Sequence, residues 1–243
     1  MAPHLSPFGP SPGEAVSLTA SPNYFEGALA DESRFDEIIE FHSRKQFPEF
    51  YLFQGAHAGA PLHLLFKAQI SAESSFKANA VSPCGALGLM QLMPATAQEV
   101  ARGESAMARA KMNLFDPRIC IDLGIRYDRL QYERFPEIPD KDERLKFMLA
   151  SYNCGRGYIN AALEMARREE FGFRPLATVP GKWQTWRFSS QMLNRDDCMV
   201  NGRRPDFKQV WEYVEKIWAK YRRYALGAGL TGSTPEGVPP RRA

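Results

Sequence analysis

Residues 68–93 read AQISAESSFKANAVSPCGALGLMQLM, and their pattern decides how the rest of the chain is understood. The stretch continues a helical stripe that starts near Pro61, with Leu62, Leu65, Phe66, Gln69 and Ile70 on one side and Pro at the first turn. The helix should stop at Glu73-Ser74, because Asn79, Ser82, Pro83, Gly85 and Gly88 supply turn chemistry directly after it. Apolar residues then close around one amide, Gln91. A carboxyl group at the end of a buried helix, faced by Leu, Met and glycine-rich backbone, is stripped of water, which disfavours its charged form and raises its pKa. The negative end of the helix dipole acts in the same direction. A general acid working near neutral pH needs such a shift. Read locally, the residue equally fits a solvated glutamate at a helix end, and this stretch alone leaves both readings open.

Outward from this block the apolar spacing is mostly helical. Ser33 to Gln46 carries Phe35, Ile38, Ile39 and Phe41–His42 on one stripe, with Ser33 as N-cap. Further helices are expected over Pro94–Ala101, Asp116–Phe135 (Asp116 capping, Pro117 at the first position), Asp140–Tyr152 and Gly155–Glu169. The last pair is split by a turn at Asn153–Gly157. A long final helix, Phe207–Tyr224, presents Val210, Trp211, Val214, Ile217, Trp218 and Tyr221 on its buried face. Residues 171–205 interleave Gly, Pro and Arg with Trp183, Trp186 and Phe188 without a clean period, and read as a long packed loop with room for a short helix. Residues 1–30 and 227–243 are Pro-, Gly- and Ser-rich and read as disordered arms around a single domain over 31–226. Strand patterns are sparse, so the expected class is mainly α with little or no sheet.

Composition narrows the function. The 243 residues carry 31 Lys plus Arg against 28 Asp plus Glu, a net charge of +3, too weak a surplus to argue for nucleic acid as a partner. No apolar run approaches the roughly 20 residues of a membrane span. Residues 1–22 hold five Pro and a single charged side chain, Glu14, so no secretory signal is visible and the export route stays open. Cys84, Cys120, Cys154 and Cys198 lie too far apart for a CxxC metal pair, and His42, His57 and His63 lack ligand spacing. No metal or cofactor is expected.

Three elements in order are more specific than any of these features: Glu73-Ser74, then Gly85-Ala86-Leu87-Gly88-Leu89-Met90-Gln91-Leu92-Met93-Pro94, then Ser151-Tyr152-Asn153. Their arrangement resembles the soluble lytic transglycosylase family, which cleaves bacterial peptidoglycan and shares a lysozyme-like, goose-type fold. The likeness covers about Leu62 to Arg168, with a weaker echo at Glu212-Tyr213-Val214 in the last helix. The resemblance implies that Glu73 is the single catalytic acid. It further implies that Ser82, Gln91 and Met93 contact the glycan and that the Tyr152 hydroxyl helps to hold the acid. Asn153 and Ser74 would support their motifs, while Tyr213 divides evenly between core packing and the cleft. Met90 and Leu92 are read as core, Gly85 and Gly88 as backbone requirements. Trp183 and Trp186 are read as loop anchors ahead of sugar-stacking platforms.

The chain departs from the family pattern at Ser151, where alanine is commoner, and at Cys154, where a small residue is usual. In an oxidising compartment Cys84 or Cys154 could bridge to Cys198. The implied reaction cuts the β-1,4 bond between N-acetylmuramic acid and N-acetylglucosamine and leaves a 1,6-anhydro end, without water. A periplasmic or cell-wall location follows, with a virion also compatible. Two rivals remain: a muramidase that uses a second carboxylate, for which Asp116 and Glu99 are candidates, and a non-catalytic glycan-binding component of a phage or secretion apparatus.

Overall fold

A computed structural model describes residues 32–51, 60–172 and 180–228. The arms expected at either end therefore lie almost wholly outside the described residues. Helix α1 spans Asp36–Gln46 and is followed by a 3-10 turn at Pro48–Phe50. Helix α2 spans His63–Ser74, α3 Pro94–Val100, α4 Ala106–Ala110 and α5 Pro117–Tyr132. Helices α6 (Lys141–Cys154) and α7 (Arg156–Phe171) form a pair, α8 is the short Trp186–Ser189, and α9 is the long Phe207–Gly227. Among the described residues the only β pairing consists of isolated bridges, Val81–Leu87 and Leu87–Leu92 in the loop after α2 and Val200–Arg203 before α9.

Local signals explain most helix ends. Asp116 accepts hydrogen bonds from the amides of Arg118 and Ile119, and Pro117 occupies the first position of α5. Asp140 and Asp206 cap α6 and α9 in the same way. Replacing Asp116 by Ala should cost about 1 kcal/mol and lower the melting temperature by about 2–4 °C, as measured by circular dichroism. Gly155, at φ 91°, ends α6 and opens α7, so the expected turn there narrows to one residue. Ser33 is not the cap of α1, which starts after Phe35 without a side-chain cap. Tertiary contacts override the local signal: Lys220 and Tyr224 of α9 bind Glu32, Arg34 donates to the Phe76 carbonyl, and Phe35 is buried.

The main core gathers α1, α2, α5, α6, α7 and α9 around Phe47, Phe66, Ile70, Phe147, Trp186 and Val214. Helix α9 lies against α2. It buries Val210, Val214, Ile217, Trp218 and Tyr221, worth on the order of 10 kcal/mol gross, which far exceeds any single hydrogen bond it makes. A smaller core of Leu92, Ala97, Val100, Ala101, Leu114 and Leu123 surrounds α3, with Leu87, Tyr127 and Tyr152 packed against it.

The stretch between α7 and α9 is wound more tightly than a loop. Beyond residues 173–179, which lie outside the described residues, it forms 3-10 turns at Lys182–Gln184 and Ser190–Asn194 on either side of α8. Glu170 draws in the amides of Lys182 and Trp183, and Arg167 lies 4.0 Å above the Trp183 ring. Trp183 and Trp186 are 0% and 2% exposed, so they anchor the segment and offer no face to a sugar. None of the four cysteines is in a disulfide, which overturns the bridge to Cys198. Cys120, Cys154 and Cys198 are instead buried as small core residues.

Candidate active site

Helix α2 delivers Glu73 to its last turn, and the chain then reverses through Ser75 (φ 51°) and Phe76 (φ 62°), two non-glycine residues in the left-handed region. Such backbone costs of order 1 kcal/mol or more per residue and concentrates at functional sites. Phe76 is buried and its carbonyl is held by Arg34, which fixes the reversal. The loop that follows is stitched by its own backbone: the Ser82 amide donates to the Ala86 carbonyl at 2.9 Å, and Leu87 and Leu92 exchange amide-to-carbonyl hydrogen bonds at 2.9 and 3.1 Å. Gly88 (φ 74°) donates to the Ala80 carbonyl, and a side chain there would meet the Leu114 carbonyl oxygen at 2.0 Å.

Glu73 is half-buried between the two cores. The Tyr213 hydroxyl of α9 donates to its Oε1 at 2.6 Å. Tyr152, packed on the smaller core, lies within electrostatic reach of the same carboxyl, as do Cys120 and Asp128. Desolvation pushes Glu73 up to about 7, opposed by the Tyr213 hydrogen bond and the positive charge of Lys216 on α9. The group therefore changes protonation near neutrality.

The other candidate residues are distributed differently from their expected contacts. The Tyr152 hydroxyl donates to the Met90 carbonyl at 2.7 Å, so Tyr213, and not Tyr152, is the tyrosine bonded to the acid. Motif order could not separate the two, because Tyr213 lies 140 positions from Glu73. Gln91 is 6% exposed and sits at φ 48°. Its Nε2 donates to the Gly88 and Ala80 carbonyls, which leaves only Oε1 without a partner. Ser82 is buried and its Oγ accepts from the Ala86 amide, while Ser74 bonds back to the Ile70 carbonyl. Met93 is half-buried at the N-cap of α3. Asn153 falls inside α6, and its Oδ1 is buried without a partner. Met90 and Leu92 are core, as read from the sequence.

Neither carboxylate considered for a water-activating role is well placed for it. Asp116 is spent on the cap of α5, and Glu99 is exposed beside Arg102. Among the described residues no His, Cys, Asp and Glu cluster could hold a metal, and no helix is long and apolar enough to cross a membrane. The arrangement is a desolvated carboxyl at a helix end, a tyrosine that tunes it, and a loop stitched by its own backbone at its side. Such a group can give a proton to a bridging oxygen and later take one back.

Comparison with known proteins agrees with this frame. Residues 52–172 match the Transglycosylase SLT domain. The chain is 32% identical over 144 residues to the membrane-bound lytic murein transglycosylase F of Ectopseudomonas mendocina (strain ymp), which covers 58% of this chain and 26% of that protein. Its counterpart in Shewanella halifaxensis (strain HAW-EB4) is 39% identical over 106 residues, 43% of this chain and 20% of the relative. The chain thus spans about a quarter of the length of the curated relatives it matches. The fold is also similar to that of an inactive mutant of the lytic transglycosylase Slt from Pseudomonas aeruginosa, with a TM-score of 0.51 and 20% identity over 82% of this chain and 25% of that one. Motif block, helical frame and domain match converge, and the chain belongs to the SLT lytic transglycosylase family.

Proposed function

We propose that this protein cleaves the glycan strands of peptidoglycan as a lytic transglycosylase, with Glu73 as its only acid and base. The observation that carries the reading is the Glu73 carboxyl itself, half-buried, bonded by Tyr213 and raised to about 7. Near neutral pH a substantial fraction is protonated and can donate, and the conjugate base is strong enough to accept in turn. In the first step the Glu73 proton goes to the oxygen that bridges C1 of N-acetylmuramic acid and C4 of N-acetylglucosamine, and the C1–O bond breaks. The N-acetyl carbonyl oxygen of the muramic acid stabilises the positive charge that develops at C1. In the second step the Glu73 carboxylate removes the proton of the C6 hydroxyl of the same sugar, O6 bonds to C1, and a 1,6-anhydro ring closes. The acid is regenerated and no water is consumed.

The commitments of Asp116 and Glu99 elsewhere favour this route over a hydrolase that positions water with a second carboxylate. Gln91, Ser82, Met93 and Tyr152 are assigned to the walls that hold the glycan. Work on this substrate places the protein in the periplasm or cell wall.

Digestion of purified peptidoglycan in isotope-labelled water, followed by mass spectrometry, tests the assignment. Anhydro-ended fragments without label are expected. Labelled reducing ends would make the enzyme a hydrolase, and an absence of fragments from folded protein would leave a binding role.

A second prediction concerns Tyr213. Its hydrogen bond holds the Glu73 pKa down, so Tyr213→Phe should raise that pKa further. The alkaline limb of kcat/KM then moves to higher pH, while kcat at pH 7 falls by about tenfold because the carboxylate formed in the first step loses its donor. The melting temperature should stay within about 3 °C, since the apolar face of α9 holds the helix in place.

A further inference from the structure

Gln69 lies four residues before Glu73 on α2, so the two share one face of the helix. Its Nε2 donates to Asp128 Oδ1 on α5 at 3.3 Å, and both residues are 0% exposed. Two buried oxygens on this joined pair have no partner among the described residues, Oε1 of Gln69 and Oδ2 of Asp128. If Asp128 were ionised, both would be acceptors only, on groups already tied together and closed off from solvent. A proton on Oδ2 converts one of them into a donor. The carboxylic acid and the carboxamide then close a ring of two hydrogen bonds, and both leftover oxygens are satisfied.

The surroundings favour the neutral form. The groups that bear on Asp128 are Gln69 and Glu73 from α2, Tyr127 from its own helix, Tyr152 from α6 and Tyr213 from α9, and none of them is a cation. We propose that Asp128 is a buried carboxylic acid which, ringed with Gln69, is a positioning residue for Glu73. The ring ties the face of α2 that carries Glu73 to α5. Loss of the Asp128 proton breaks one bond of the ring, sets two acceptors against each other and adds a negative charge beside the acid. Burial already holds the Asp128 carboxyl well above the usual carboxylate range, with the Glu73 charge pushing the same way and the Gln69 bond opposing.

Infrared difference spectra between Glu73→Gln and the Glu73→Gln/Asp128→Asn double variant at pH 8 isolate this one group. The carbonyl stretch of a protonated carboxyl is expected in the first and missing in the second; its absence from both would overturn the proposal. Stability gives an independent readout. A carboxyl whose pKa is raised in the folded state lends stability that is complete below its unfolded value of about 4 and lost as pH climbs towards its folded value. The melting temperature of Asp128→Asn, in which the neutral ring is kept, should therefore pull ahead of the parent as pH rises above about 4; a gap that stays constant with pH would count against a neutral Asp128.

The positioning role rests on the proposed reaction, and is read from peptidoglycan turnover. Asp128→Asn should keep kcat at pH 7 within about twofold, whereas Asp128→Ala should lower kcat by about tenfold with KM within about twofold. Equal losses in the two variants would overturn it. If the parent protein itself released nothing, the proposed reaction would fail while the spectra and melting curves still decide the state of Asp128.

Discussion

Replacing Glu73 by Gln is expected to lower the release of soluble fragments from peptidoglycan by about a thousandfold or more, because the amide can neither give nor take the proton. The fold should survive, since the new Oε1 still accepts from Tyr213. The variant should also be the more stable protein above neutral pH. Glu73 is raised from 4.5 to about 7, so the folded state holds a proton that the unfolded chain has released across that interval. Its contribution is complete below pH 4.5 and is lost as pH rises through about 7. The full shift corresponds to on the order of 3 kcal/mol, and partial solvent access reduces this to ~2 kcal/mol. Melting curves should therefore coincide near pH 4 and separate by about 4–8 °C at pH 8, with the variant higher. A residue that sacrifices stability only where it would be charged is kept for its chemistry, and coincident curves at both pH values would contradict that.

The largest structural effect is expected at Gly88. An added Cβ would lie 2.0 Å from the Leu114 carbonyl oxygen and 2.9 Å from the Cys120 sulfur, at φ 74°. The first neighbour is backbone and cannot swing away. Left-handed strain of about 1–2 kcal/mol and overpacking of about 1–3 kcal/mol add to about 2–5 kcal/mol for Gly88→Ala, or about 10 °C in melting temperature. Gly85 serves as the control. It too is left-handed, at φ 85°, but nothing lies within 4 Å of an added Cβ, so Gly85→Ala should cost only the conformational part. Equal losses at the two positions would show that the approach of Leu114 carries no weight.

These two glycines also mark the limit of what the sequence reveals. Turn chemistry announced that both needed special backbone, but not that only one is pressed against another segment, because Leu114 arrives from a part of the chain with no pattern in common. The helices were legible where a stripe met a capping residue, as at Asp116-Pro117, and illegible where tertiary contacts set the end, as at Phe35. Glu73 was legible through its motif, and its desolvation through the apolar run that follows. The tyrosine on it was not, since a Tyr on the buried stripe of α9 looks the same whether it fills space or holds an acid. Asp128 left a fainter trace: it falls on the same stripe as Ile121, Ile125 and Tyr132 of α5, all buried. An acidic residue at such a position is a signal that burial has been accepted for a reason.

The Tyr213–Glu73 bond joins the last helix to the first motif, and Tyr213 lies beyond the 52–172 segment that matches the family domain. A chain emerging from the ribosome has therefore delivered its acid, its glycine-rich loop and Tyr152 long before it delivers the group that tunes the acid. Until α9 docks, α2 lacks one of its main packing partners and Glu73 lacks its phenol. The site is thus complete only once α9 has docked, and a product truncated before α9 would be a protease target.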